Sequence, residues 1–375
     1  ELPAQPLSSE AMQQALDAYA EHKSKAAAAR ALGLNVNTYR HRLAQAQEWR
    51  SADPAALAAS MAVGSQMVPN LLWAKTDAKG NVTYSAQYKY SRGQDVDSIS
   101  EALKAGLSDV GPASFVPAPT APDGLCAVFP VADLHMGLLT DAEEVGEDWD
   151  SKKSGDVFRG TFGRLVSVTP SAGTAILAQL GDLTHTDDQR NVTPQSGHQL
   201  DADTRYFMIL RRAVAAMKWG IEELRKKYPK VIYRGVRGNH DLTAHYAVTL
   251  ALAEHYKDTD SVQIIDSAGE VYVHEFGRNM ILLHHGDRAK PDRLVHFAAA
   301  QWPEMLGRTQ HRVALSGHVH HETKKEVGGM TFESLGTIIP RDVHAYSNAY
   351  TAKRSLVSIT LDEREGEITR ARVGV

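Results

Sequence analysis

Five short polar blocks punctuate the last two thirds of this 375-residue chain, and each follows an apolar run that reads as a strand. They are Asp133-Leu134-His135-Met136-Gly137, Gly181-Asp182, Gly238-Asn239-His240-Asp241, His284-His285-Gly286-Asp287 and Gly317-His318-Val319-His320. One Gly-Asp or Gly-His pair is ordinary turn chemistry. Five in series constrain the fold. The strands that deliver them run from Leu125 to Ala132, Ala175 to Leu180, Lys230 to Val236, Asn279 to Leu283 and Arg312 to Ser316. Helix-like stretches lie between, the longest from about Ala202 to Tyr228. Near-continuous apolar strands with helical crossovers describe a sheet buried on both faces, with ligands at the carboxyl ends of its strands. The tail from Glu322 to Val375 carries shorter alternating strands, the pattern of a second sheet packed on the first.

The side chains in these blocks are Asp, Asn and His, which suit hard-to-borderline divalent cations. Cys126 is the only cysteine, so neither an internal disulfide nor thiolate ligation enters the argument. Seventeen histidines are dispersed along the chain, many of them in or beside the blocks. Hydrophobic residues make up 43% and charged residues 23%, an ordinary globular composition, and no apolar run is long enough to cross a bilayer. The single cysteine makes a reducing cytoplasm the expected compartment, and the N-terminus shows no basic start followed by an apolar stretch.

The order of the blocks resembles that of the calcineurin-like metallophosphoesterases, over roughly Leu125 to Val375. The resemblance implies an α/β (α+β) fold, a two-sheet β-sandwich flanked by helices, with two metal ions at strand ends. It also implies a ligand set: Asp133, His135, Asp182 and His320 on one ion, and Asn239, His285 and His318 on the other, with Asp182 bridging. A shared carboxylate can hold two cations about 3.5–4 Å apart, so that both polarise one phosphoryl centre. Manganese is the leading cofactor expectation, with iron, zinc and nickel compatible with the same donors. The family pattern makes the histidine before Gly the ligand, hence His285 and not His284, and period-two alternation sends those neighbours to opposite faces.

Three further residues are candidate catalytic groups. His240 follows Asn239 directly and is expected to protonate or hydrogen-bond the leaving oxygen, with Asp241 fixing its tautomer. Gly181-Asp182-Leu183-Thr184-His185 resembles a block of the double-strand-break repair exonucleases within the same family, which implies that His185 sits near the scissile phosphate. Asp187 and Asp188 read as loop solvation.

The N-terminal part differs in charge from the rest. The formal net charge is -4, yet Ala20 to Arg50 holds six Lys or Arg against two Glu. Such asymmetry marks a separate basic module. Residues 8 to 50 read as three helices: one around Glu10 to Glu21 with Met12, Leu16 and Tyr19 on a stripe, one from Lys25 to Leu32 capped by Ser24 and ended by Gly33, and one capped by Asn35 with Val36, Tyr39 and Leu43 inward. Ala28-Ala29-Arg30-Ala31-Leu32-Gly33-Leu34 resembles the helix-turn-helix of the factor-for-inversion-stimulation type. That resemblance implies a DNA-binding surface of Asn37, Thr38, Arg40, His41 and Arg42, with Lys23, Lys25 and Arg30 meeting phosphates.

Residues 51 to 124 form a connector. Strand-like runs at 70–75 and 81–86 flank an Asp/Gly loop and predict a β-hairpin, whose Trp73, Tyr84, Tyr88 and Tyr90 read as its packed face. An amphipathic helix is expected near Val96 to Ala105. Gly111 to Gly124 holds four prolines, and the domain boundary is placed there, ahead of residues 125 to 375. The combination predicts a metal-dependent phosphodiesterase, a nuclease directed to DNA by its own helix-turn-helix, of a kind phages or prophages encode. DNA is the expected partner, no membrane is involved, and a homodimer is allowed. The alternatives are a phosphomonoesterase or cyclic-nucleotide phosphodiesterase, and a DNA-binding regulatory or packaging protein whose phosphoesterase domain is vestigial.

Overall fold

The computed structural model describes residues 9–51, 67–76, 82–90, 113–114, 116, 119–351 and 353–375. The chain divides into two compact units, 1–94 and 95–375. The first holds α1 (Ser9–His22), α2 (Lys25–Ala31) and α3 (Val36–Ser51), followed by β1 (Met67–Thr76) and β2 (Val82–Tyr90). Gly33 adopts φ +64°, the left-handed conformation that stops α2, and Asn35 Oδ1 accepts from the Asn37 amide at 2.9 Å to start α3. Ser24 occupies the cap position of α2 with extended dihedrals, but its side chain makes no capping bond, contrary to expectation. Tyr39 and Leu43 are buried as predicted, and the Tyr39 hydroxyl donates to the Ala15 carbonyl at 2.8 Å, which ties α3 to α1. The strands β1 and β2 form the expected antiparallel hairpin, pairing Thr76 with Val82. The helix expected near 96–105, and residues 52–66, lie outside the described residues.

In the second unit, β3 (Leu125–Val131), β4 (Thr174–Leu180), β5 (Lys230–Val236) and β6 (Val262–Ile264) run parallel. At the free edge of β3, β12 (Ser355–Asp362) and then β13 (Gly366–Gly374) add antiparallel, giving a six-stranded sheet ordered β13-β12-β3-β4-β5-β6. A second, five-stranded sheet has the order β10-β11-β9-β8-β7. It comprises β7 (Tyr272–Phe276), β8 (Asn279–Leu283), β9 (His311–Ser316), β10 (Thr323–Val327) and β11 (Met330–Ser334). The tail therefore divides between the sheets: β10 and β11 join the second, whereas β12 and β13 complete the first. Two of the motif-bearing strands, β8 and β9, also belong to the second sheet.

Period-two alternation sorts each strand between two cores. Cys126, Val128, Ile176, Ala178 and Ile232 face the other sheet and pack on Ile281, Leu283 and Leu315. Ala127, Phe129, Leu177, Val231 and Tyr233 face outward onto three helices. These are α5 (Ser151–Val168), α6 (Tyr206–Arg225) and α7 (Ala244–Tyr256), which follow the short α4 (Ala142–Val145). On α5, Phe158, Phe162 and Leu165 form the buried stripe, and Asp150 caps its start by accepting from the Lys153 amide at 2.7 Å. The outer face of the second sheet (Met280, Leu282, Ala314, Phe332) is covered by Leu294 and Ala298 of α8 (Pro291–Gln301), with Met305 of α9 (Pro303–Arg308) beside it. Past β11 comes α10 (Val343–Ser347). The result is a helix–sheet–sheet–helix sandwich, the layered α/β architecture expected. Because β3, β4 and β5 are parallel to one another, as are β8 and β9, each set brings its carboxyl ends to one rim.

Candidate metal centre

The backbone at this rim is strained where the candidate ligands sit. Asp133, His135, Asp182, His318 and His320 have φ of 50°, 40°, 51°, 71° and 55°. They are five of the eight non-glycine residues with positive φ among those described. Each such residue costs on the order of 1–3 kcal/mol and persists only when its surroundings impose it. Here the surroundings are specific hydrogen bonds. The His135 amide donates to the Asp182 carbonyl at 2.9 Å, the His185 amide to the Met136 carbonyl at 2.9 Å, and the Thr337 hydroxyl to the Asp133 carbonyl at 2.7 Å. The glycines ahead of the ligands supply room. A Cβ on Gly238 would collide with the Asp182 carboxylate, and one on Gly317 with that of Asp133.

These constraints bring the blocks together. Asp133, His135 and His320 offer ligand atoms that all lie within 4.8 Å of one another, and so do Asp182, His285 and His318. The Asp182 carboxylate lies between the groups: its Oδ2 is 3.3 Å from His285 Nε2 and 3.7 Å from His135 Nε2. Its Oδ1 accepts from the His240 amide at 2.8 Å, which fixes the carboxylate with Oδ2 turned to both rings. Asn239 Oδ1 is 3.0 Å from His285 Nε2, and His320 Nε2 is 3.5 Å from Asp133 Oδ1. On the far side of its ring, His285 Nδ1 lies 2.8 Å from the Leu180 carbonyl. That acceptor holds a proton on Nδ1 and aims Nε2 inward, the outer support typical of a ligating imidazole. His284 joins none of these groups.

Burial makes the charges of this cluster depend on one another. Asp133 and Asp182 are 0% and 2% exposed, and buried carboxylates require positive charge nearby. Burial opposes charge on His285, yet the adjacent Asp182 carboxylate outweighs it and raises its pKa to about 10. His320 is raised in the same way, against burial, by Asp133. Burial also opposes the charge of Asp182, but His285 holds its carboxyl well below the usual range. His135 and His318 are pushed the other way, mainly by burial, and stay neutral, the form in which an imidazole ligates. Two buried carboxylates, four imidazoles and an amide oxygen, with His285 and His320 drawn towards the charged form by the adjacent carboxylates, form a donor set that fits two divalent cations once those rings give up their protons.

The other predicted residues are placed as follows. His240 is half-buried, and its Nδ1 lies 2.8 Å from the main-chain carbonyl of His185. Asp241 does not fix its tautomer, contrary to expectation. That carboxylate is fully buried and accepts from the amides of Leu183 at 2.7 Å and Gly238 at 2.6 Å, which clamps the β4 and β5 turns together. Burial and the Asp182 charge raise its pKa well above normal. His185 is buried, with Nδ1 3.2 Å from His135 Nδ1. Asp187 is not loop solvation: it accepts from the Thr243 and Ala244 amides at 2.9 and 2.8 Å and so caps α7. Asp188 pairs with Arg190. Thr337 was not singled out from the sequence, because a lone Thr after a strand carries no signal of the carbonyl it will meet.

In the N-terminal unit Lys23, Lys25, Arg30, Asn37, Thr38, Arg40 and His41 are exposed and Arg42 is half-buried. The Arg30 guanidinium turns back to the Ala26 carbonyl at 3.4 Å. The side chains of Trp73, Tyr84, Tyr88 and Tyr90 lie outside the described residues. No helix among the described residues is long and apolar enough to cross a membrane.

No protein-family profile and no curated protein matches this sequence. Among solved structures, an archaeal phosphodiesterase is 12% identical, covering 66% of this chain and 99% of its own, with a TM-score of 0.33. A predicted phosphoesterase from Streptococcus pneumoniae is 13% identical over 67% of this chain and 98% of its own, with a TM-score of 0.29. A phosphoesterase from E. coli is 16% identical over 66% of this chain and its full length, also with a TM-score of 0.29.

Proposed function

We propose that this protein is a dinuclear-metal-dependent phosphodiesterase that hydrolyses phosphodiester bonds in DNA, directed there by its N-terminal helices. The observation that carries the phosphoesterase reading is the Asp182 carboxylate held between His135 and His285, with three more imidazole or carboxylate donors and one amide oxygen around it. Asp133, His135, Asp182 and His320 would hold one ion, and Asp182, Asn239, His285 and His318 the other. When bound, two such ions polarise a phosphoryl group and lower the pKa of water. The chain's own contribution is position and proton handling. Because His240 Nδ1 donates to the His185 carbonyl, Nε2 is its remaining nitrogen, and only the doubly protonated ring would have a proton there to give a departing oxygen. The residue is half-buried beside the rings of His135 and His185. Asp182, held by the His240 amide, and Asn239, held by the His285 ring, need no rearrangement as charge develops.

The DNA reading is supported by the exposed Asn37, Thr38, Arg40 and His41 at the start of α3 and by the exposed Lys23 and Lys25 nearby in sequence. The test is a substrate matrix with the manganese-loaded full chain: linear DNA, bis-p-nitrophenyl phosphate and p-nitrophenyl phosphate. DNA and the diester are expected to be cleaved far faster than the monoester. Preference for the monoester would overturn the nuclease reading and favour a phosphomonoesterase.

A further inference from the structure

We propose that His185 is a positioning residue that sets the tautomers of two imidazoles at once, His135 through its ring and His240 through its main-chain carbonyl. This rests on reading His135 as a metal ligand. Two of the ring nitrogens, His185 Nδ1 and His135 Nδ1, lie 3.2 Å apart, so one must carry the proton and the other accept it. The remaining nitrogen of His135, Nε2, faces Asp182 Oδ2 at 3.7 Å and His320 Nε2 at 3.2 Å, the direction of the candidate ions. A ligand must present a lone pair there, which leaves the His135 proton on Nδ1. His185 Nδ1 is then the acceptor, and its own proton sits on Nε2.

The same residue acts a second time through its backbone. Its carbonyl lies 2.8 Å from His240 Nδ1 and accepts a hydrogen bond from it, which keeps a proton on Nδ1 and leaves Nε2 as the other reactive nitrogen. The two rings also stack, with centroids 5.5 Å apart and planes 21° from parallel. The unit is anchored by the His185 amide on the Met136 carbonyl at 2.9 Å, one residue beyond His135. The His185 ring is buried, and it meets the rings of His135 and His240, through which it acts. Its two functions are separable. A change of side chain removes the acceptor for His135 and leaves the carbonyl for His240 in place.

The experiment compares His185→Asn, whose Oδ1 falls where Nδ1 was, with His185→Leu, which has no acceptor. Manganese affinity is read by competition with a chelator. Nitrogen-15 shifts read the tautomer of His135 in the metal-free wild type. His185→Leu is expected to bind Mn2+ about 10–100-fold more weakly, as loss of an outer partner usually causes, with His185→Asn close to wild type. Turnover of His185→Leu at saturating Mn2+ should fall less than its affinity. Unchanged Mn2+ affinity in His185→Leu with lost turnover would overturn the proposal and place the ring on the substrate. So would a His135 tautomer protonated on Nε2. If the wild type itself binds no Mn2+, the metal reading fails, and the nitrogen-15 result decides the tautomer assignment on its own.

Discussion

The two units of this protein place their candidate functional residues in opposite settings. In the N-terminal unit the residues proposed to meet DNA are exposed, on short helices whose described core has eight buried residues, five of them alanine. Nothing about Asn37 or Arg40 strains that unit. In the C-terminal unit the proposed ligands are buried carboxylates and imidazoles on left-handed backbone, with glycines cleared away beneath them. There the fold carries the cost of holding like groups together, and the large cores on both faces of the six-stranded sheet offset it. A surface that recognises can be added cheaply to a small scaffold. A site that gathers charge requires a large one.

Changes that test this contrast should have unequal effects. The largest is expected at His240, where His240→Ala should lower turnover by about 10²–10⁴-fold while both ions remain bound, because its ring is no ligand in this account. Metal analysis beside steady-state rates checks it, and loss of an ion would show that the ring holds metal instead.

The next effect concerns buried histidines. His245 donates from Nδ1 to the Asp241 carbonyl at 3.0 Å, and burial lowers its pKa to about 4. Its folded pKa lies below the unfolded value of 6.5, so the folded state binds fewer protons between those limits. Its contribution to stability is therefore complete above about pH 6.5 and lost as pH falls towards 4. The loss is worth about 3 kcal/mol over that window, at roughly 1.36 kcal/mol per pH unit. Urea unfolding of metal-free wild type and His245→Asn should converge by about that amount between pH 7 and 4, and a constant gap would contradict it.

The smallest effect on folding is expected in the N-terminal unit. The pair Asn37→Ala and Arg40→Ala should change stability by no more than about 0.5 kcal/mol, as exposed positions generally do. Its DNA affinity should fall, with a shallower dependence on salt. Unchanged affinity would remove DNA recognition from α3 and leave the phosphoesterase site untouched.

Much of the layout was legible because its causes are local. The apolar run from Lys230 to Val236 could only be a buried strand, and its block could only lie at the end of it. Gly33, Asn35, Tyr39 and Leu43 announced the N-terminal helices through capping and periodicity. What escaped depends on which element meets which. The assignment of β12 and β13 to the first sheet follows from the free edge of β3, which no pattern in the tail encodes. β7 is half-buried along its whole length and alternates too weakly to be seen as an edge strand. Asp241 sits beside His240 in sequence, yet its carboxylate is claimed by the amides of Leu183 and Gly238. Asp187 and Thr337 acquire their roles only when residues about 56 and 204 positions away arrive.

Everything proposed for this site depends on Asp182 joining two cations. Anomalous diffraction from crystals soaked in Mn2+ tests it directly. The prediction is two peaks about 3.5–4 Å apart on either side of the Asp182 carboxylate, one beside Asp133, His135 and His320 and the other beside Asn239, His285 and His318. A single peak away from Asp182, or none at a Mn2+ concentration that supports turnover, would contradict it.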